Sequence, residues 1–130
     1  MPEEIQTRIR QALLFAWSPS TSEIFNAAMH PSYGQCAQTA IVIQERFGGE
    51  ILKTRGWPPT GRHFYNLIDG TRIDFTADQF TSNTDYCLDI KYDDLPSDAI
   101  EAETETTGSQ IAALRRAFEL AFDENRNQNA

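Results

Sequence analysis

The sequence predicts an α+β fold, with helices packed on a small and mainly antiparallel sheet, and three patterns carry that reading. Ile5, Ile9, Leu13 and Trp17 recur every fourth residue, which is the apolar stripe of an amphipathic helix. Cys36 to Phe47 holds few helix breakers and closes on Gly48-Gly49. Two alternating runs, 63–68 and 71–76, flank Asp69-Gly70, a strong two-residue hairpin signal. The 130 residues, 40% of them hydrophobic, suffice for one domain with a real core, expected over 1–124 with a frayed tail over 125–130.

In chain order, the opening helix turns Glu4, Arg8 and Gln11 away from its stripe, and Ser18-Pro19-Ser20 ends it. Ser20 and Glu23 have capping-box spacing for a short second helix through Ile24, Phe25 and Ala28. His30-Pro31-Ser32-Tyr33-Gly34 is then a loop that delivers Cys36 to the first turn of a largely buried helix. Glu50 to Arg55 reads as a first strand, and the turn-rich segment 56–61 is placed to flank a cleft. Beyond the hairpin, Thr76-Ala77-Asp78-Gln79 has capping-box spacing for a single turn that puts Phe80 in the core. Alternation through Tyr86, Leu88, Ile90 and Tyr92 predicts another strand, and the polar, acidic stretch 95–108 reads as a linker or surface loop. Ser109 caps a final helix with Ile111, Leu114, Phe118, Ala121 and Phe122 at helical spacing, set to pack on the core or on a second copy of the chain as a homodimer.

Charge narrows the function. A net charge of -8 opposes phosphate-backbone binding, so nucleic acid is not an expected partner. No apolar run approaches the roughly 20 residues that span a bilayer, and the acidic start lacks the basic region of a secretory signal, so a cytoplasmic address away from membranes is expected. In that compartment Cys36 and Cys87 read as free thiols, with pairing and redox chemistry as the lesser option. The acids between Asp85 and Glu105 read as a solvated face rather than a docking surface for a basic partner.

The chemistry follows from hairpin register. With Asp69 and Gly70 as the turn, Ile68 faces Thr71, Tyr65 falls opposite Asp74, and His63 falls opposite Thr76. His63 and Asp74 are then diagonal neighbours, about 7–8 Å apart at the backbone, within reach of an imidazole–carboxylate bond. Cys36 sits at a helix start, among unpaired N–H groups and the positive end of the dipole, where a thiol ionises more easily. These three types in one place suit Cys36 as nucleophile, His63 as acid and base, and Asp74 as the group that orients His63. The Cys36 N–H would steady an oxyanion, with Gln35 a candidate second donor; Trp17, Tyr65 and Asn66 are candidate pocket residues, and Asn66 orients His63 only if the register shifts.

Each residue also has a plainer reading. Cys36 suits a small apolar position at a buried helix start, His63 a strand end bonded to a backbone carbonyl, and Asp74 a local turn acceptor before Phe75-Thr76. A zinc site drawing on Cys36, His63, Asp74 and Cys87 or His30 lacks a CxxC or HxxxH pair to seed it, so neither metal nor cofactor is expected.

The order helix cysteine, strand histidine, adjacent-strand aspartate resembles that of papain-like and transglutaminase-like thiol enzymes, which implies a core of that type. Trp17-Ser18, Pro31, Gly34-Gln35-Cys36-Ala37, Thr39-Ala40, Phe47-Gly48-Gly49-Glu50-Ile51-Leu52, His63-Phe64-Tyr65-Asn66, Ile73-Asp74-Phe75-Thr76 and Gln79-Phe80 together resemble the bacterial YunG-like family. The chain departs from that pattern at Gln38, where an apolar residue is usual, and at Phe64-Tyr65, where Tyr-Trp is usual. The resemblance implies that Cys36, His63 and Asp74 belong to one pattern, and it implies no substrate. Two functions follow as expectations: a thiol hydrolase or amidase acting on an amide, peptide or protein glutamine, and a noncatalytic module that binds a small molecule or protein partner.

Overall fold

A computed structural model of the chain describes residues 1–25, 32, 34–55, 61–77 and 91–128, the side chains of 125–128 excepted. The described residues form an α+β structure of four helices, α1 (Glu3–Ala16), α2 (Cys36–Phe47), α3 (Ala99–Glu103) and α4 (Gly108–Gln128). They also form one antiparallel sheet of four strands, β1 (Glu50–Arg55), β2 (Arg62–Ile68), β3 (Thr71–Ile73) and β4 (Leu95–Ser97), in the order β3-β2-β1-β4. No described helix is long and apolar enough to cross a membrane.

The stripe of α1 buries Ile9, Leu13 and Trp17 together with Ala12 and Ala16, and α1 packs on α4. Helix α2 is buried from Ala37 through Ile43 and lies against β2. It stops at Gly48, and Gly49 follows at φ +81, where a Cβ would run into the Leu67 carbonyl. The hairpin pairs Ile68 with Thr71, Leu67 with Arg72 and Asn66 with Ile73, the register expected from Asp69-Gly70.

Strand β3 stops at Ile73, short of the expected Thr76. The Asp74 carboxylate takes the Thr76 N–H at 3.1 Å and the Thr76 hydroxyl at 3.2 Å, an Asx-type turn that competes with the ladder. The faces of β2 also differ from a simple apolar-in, polar-out strand. Phe64, Asn66 and Ile68 turn toward α2, yet His63 and Tyr65 on the opposite face are each 1% exposed, so both faces are covered.

Three other expectations are corrected. Residues 20–25 make turns instead of starting a helix, because the backbone is captured locally: Thr21 N–H donates to Ser18 O at 3.0 Å and Ile24 N–H to Ser22 Oγ at 3.3 Å. The stretch 95–108 is not a linker but contains β4 and α3. Asp98 caps α3 through the Glu101 N–H at 2.8 Å, and Glu101 meets Lys53 at 2.5 Å and Arg62 at 3.2 Å, so acids that look solvated in sequence are tied to the sheet. Thr107, not Ser109, caps α4, its hydroxyl accepting the Gln110 N–H at 3.1 Å while Gln110 Oε1 accepts the Thr107 N–H at 3.0 Å. The turn to Phe80, the short helix beyond Phe25 and the strand over 86–90 fall outside the described residues, and Lys91 and Tyr92 are not in a strand.

Candidate functional site

Gly34 at φ +75 lets the chain turn into α2, where a Cβ would press against Ser22 and Ile24. Gln35 is the N-cap residue without capping through its side chain, and Cys36 is the first helical residue. The half-buried Cys36 opens on a cleft of about 370 Å³ whose lining includes Glu23, Ile24, Gln38, Thr106 and Gln110. Gln38 braces the structure. Its Nε2 donates to Thr21 O at 2.5 Å and Gly34 O at 3.0 Å, tying the preceding loop to the helix.

Behind the thiol stands His63. Its Nε2 lies 2.6 Å from Asp74 Oδ2, its ring stacks on Tyr65 at 5.7 Å, and the Cys36 side chain is near enough to act on its charge. The two readings of Asp74 prove compatible, each using one oxygen. Oδ1 holds the Thr76 turn, while Oδ2 faces His63 and also accepts from the Tyr92 hydroxyl at 2.8 Å.

These contacts set the charge state of His63. Burial by itself lowers an imidazole's affinity for a proton, but the hydrogen bond and charge of Asp74, followed by those of Cys36, outweigh it and push His63 up to about 10. At neutral pH the imidazole is therefore a cation between Asp74 and the Cys36 sulfur. Tyr92 is raised by burial and by the Asp74 charge, so its hydroxyl remains a donor.

A second polar set covers the same face of the sheet. Tyr65 donates to Asp94 Oδ1 at 2.9 Å and accepts from the Asp94 N–H at 2.9 Å, which leaves Thr54 as donor in the 2.9 Å contact with Tyr65. Thr54 in turn accepts the Asp93 N–H at 2.8 Å, and Arg72 pairs with Asp94. Burial first, then Asp94, pushes the Tyr65 hydroxyl up to about 12.

Cys36, His63 and Asp74 are thus brought together, with Tyr65 against the imidazole. Asn66 is not beside them: its Nδ2 donates to Ala40 O at 3.0 Å on the α2 side of the sheet. Trp17 is a core residue whose indole donates to Thr39 Oγ1 at 3.0 Å. Gln35 is fully buried; its Oε1 accepts from Gln38 at 3.3 Å, while its Nε2 has no partner among the described residues. Among the described residues, no group of three or more His, Cys, Asp or Glu could hold a metal ion. Tyr92 is a partner of Asp74 that the sequence does not reveal, since its pattern marks Tyr92 only as a strand position, whereas Thr76 falls in the local turn the sequence offers for Asp74.

The arrangement can be set beside known proteins. The family model described as YunG protein matches residues 5–123, which includes every residue just described around Asp74. The chain belongs to the YunG family. A Bacillus subtilis (strain 168) member described as Uncharacterized protein YunG is 40% identical over 113 residues, covering 85% of this chain and 88% of that protein. No solved structure gives a significant match. The YunG family description assigns no chemistry to these residues.

Proposed function

We propose that this YunG-family chain is a thiol-dependent hydrolase or amidase in which Cys36 is the nucleophile, His63 the acid and base, and Asp74 the group that orients His63. The observation that carries the proposal is the buried His63–Asp74 pair, 2.6 Å between Nε2 and Oδ2, standing against a thiol that opens on a cleft. In the first half-reaction the Cys36 thiolate sulfur bonds to the substrate carbonyl carbon, the imidazolium of His63 gives its proton to the amine nitrogen, and the carbon–nitrogen bond breaks. Water then adds to the acyl carbon as His63 takes a proton from it, and the carbon–sulfur bond breaks to return the thiolate. The Cys36 N–H, free of an intrahelical acceptor at the first helical position, and the Nε2 of Gln35, without a partner among the described residues, are the donors assigned to the oxyanion. We extend the proposal to a papain-like or transglutaminase-like core, on the order of helix cysteine, strand histidine and neighbouring aspartate, and to an amide, peptide or protein glutamine as substrate.

A second reading has one observation in its favour. His63 is 1% exposed and the Asp74 side chain 5%, burial that also suits a structural polar network beneath a noncatalytic binding cleft. Hydrolysis of p-nitrophenyl acetate, with Cys87→Ser throughout, separates the two. The hydrolase reading predicts an acetyl group on Cys36 that turns over, no such adduct in Cys36→Ala, and roughly a hundredfold slower turnover in His63→Ala. Equal turnover by Cys36→Ala and its parent overturns it.

A further inference from the structure

Asp74 Oδ2 is shared. His63 Nε2 lies 2.6 Å from it and the Tyr92 hydroxyl 2.8 Å, while Oδ1 is committed to Thr76. Tyr92 is held for this contact independently of Asp74: its ring meets Tyr65 edge to face at 4.8 Å and lies under the Arg72 guanidinium at 4.3 Å. Two residues on, Asp94 is fastened to Tyr65 and Arg72. The tyrosine therefore reaches the carboxylate from a clamped segment 18 residues further along the chain.

We propose that Tyr92 is a positioning residue of the Cys36 site, which by donating to Asp74 Oδ2 fixes the oxygen that His63 faces and limits how firmly the carboxylate holds the imidazolium. The physical reason is competition. Each donor that reaches a carboxylate oxygen stabilises its negative charge and leaves less of it for the next donor. An aspartate devoted to His63 alone would retain the imidazolium too tightly for it to pass a proton to a leaving amine, whereas a shared oxygen still orients the ring and binds it less. Among the described residues, Asp74 is the carboxylate hydrogen-bonded to the His63 ring. Cys36 approaches from the start of α2, Tyr65 from β2 itself, Arg72 and Asp94 are paired with each other, and Arg62 is bonded to Glu101 and Glu105. The catalytic consequence rests on the hydrolase reading, but the hydrogen-bond competition does not.

The test is an NMR titration of the His63 ring in a chain carrying His30→Gln, which leaves His63 as its single histidine. Tyr92→Phe keeps the ring and its packing and removes the hydroxyl. Its His63 midpoint is expected to rise by about half a unit or more, a roughly threefold tighter hold on the proton. Replacing Tyr92 with 3-fluorotyrosine, a stronger donor, is expected to move the midpoint down. Opposite shifts from the two variants are a signature that a merely structural hydroxyl would not give, and the second variant serves should the first fail to fold. A midpoint that is unchanged or lowered in Tyr92→Phe, or raised by 3-fluorotyrosine, overturns the assignment. Alkylation of Cys36 by iodoacetamide, followed in the same variants with Cys87→Ser, keeps the two proposals apart. Opposite midpoint shifts with a thiol indifferent to His63 uphold the role of Tyr92 and remove the hydrolase.

Discussion

Phe64 and His63 are neighbours on β2 and equally buried, at 1% exposure each, yet opposite physics holds them. Phe64 joins the apolar cluster with Ile51, Ile68 and Ile73, where shape and area suffice. His63 joins a face on which Asp74, Tyr92, Thr76, Tyr65, Asp94 and Thr54 are connected by hydrogen bonds. The difference teaches where the protein can change without loss. An apolar face repacks around a substitution of similar size, whereas a buried polar face fails when one member leaves its partners unpaired.

The comparison breaks most visibly at Asp74. Asp74→Ala strands the His63 cation, the Tyr92 hydroxyl and two Thr76 donors together, and should cost roughly 3–5 kcal/mol in urea unfolding at pH 7. Phe64→Leu, one position from His63 but on the apolar face, should cost less than about 1.5 kcal/mol. Equal losses would mean that the two faces are held in the same way.

A smaller effect appears with pH. The folded chain carries His63 to about 10 against an ordinary value of 6.5, so the proton is held more tightly in the folded state than in the unfolded one. The resulting stability is whole below about pH 6.5 and is lost as pH rises from there toward about 10, since over that range only the folded state keeps the proton. Unfolding free energies from urea titrations should fall across this window with a slope of at most ~1.4 kcal/mol per pH unit, and the slope should shrink in Asp74→Asn.

Much of this was legible from local pattern. The stripe of α1, the cysteine at the head of α2, and the hairpin with its register depend on spacings of two to four residues, which a single sequence displays directly. The meeting of His63 and Asp74 follows from that register. What stayed hidden depends on distant partners. Glu101 lies in an acidic run whose cations, Lys53 and Arg62, are 48 and 39 residues away, so β4 and α3 look like solvated loop until the sheet is in view. Tyr92 lies outside any regular element among the described residues, and no periodicity relates it to Asp74. The burial of the polar face was hidden too, because alternation separates the two sides of a strand but does not say that both are covered.

The central claim, that Cys36 and His63 act as a pair, is tested most directly by the rate of Cys36 alkylation by iodoacetamide from pH 5 to 10, with Cys87→Ser in both the parent and His63→Ala. The account predicts a thiol already reactive at neutral pH in the folded parent, and a profile displaced to higher pH once the imidazole is removed. A Cys36 that resists alkylation until the chain unfolds, or whose profile is the same with and without His63, would contradict it.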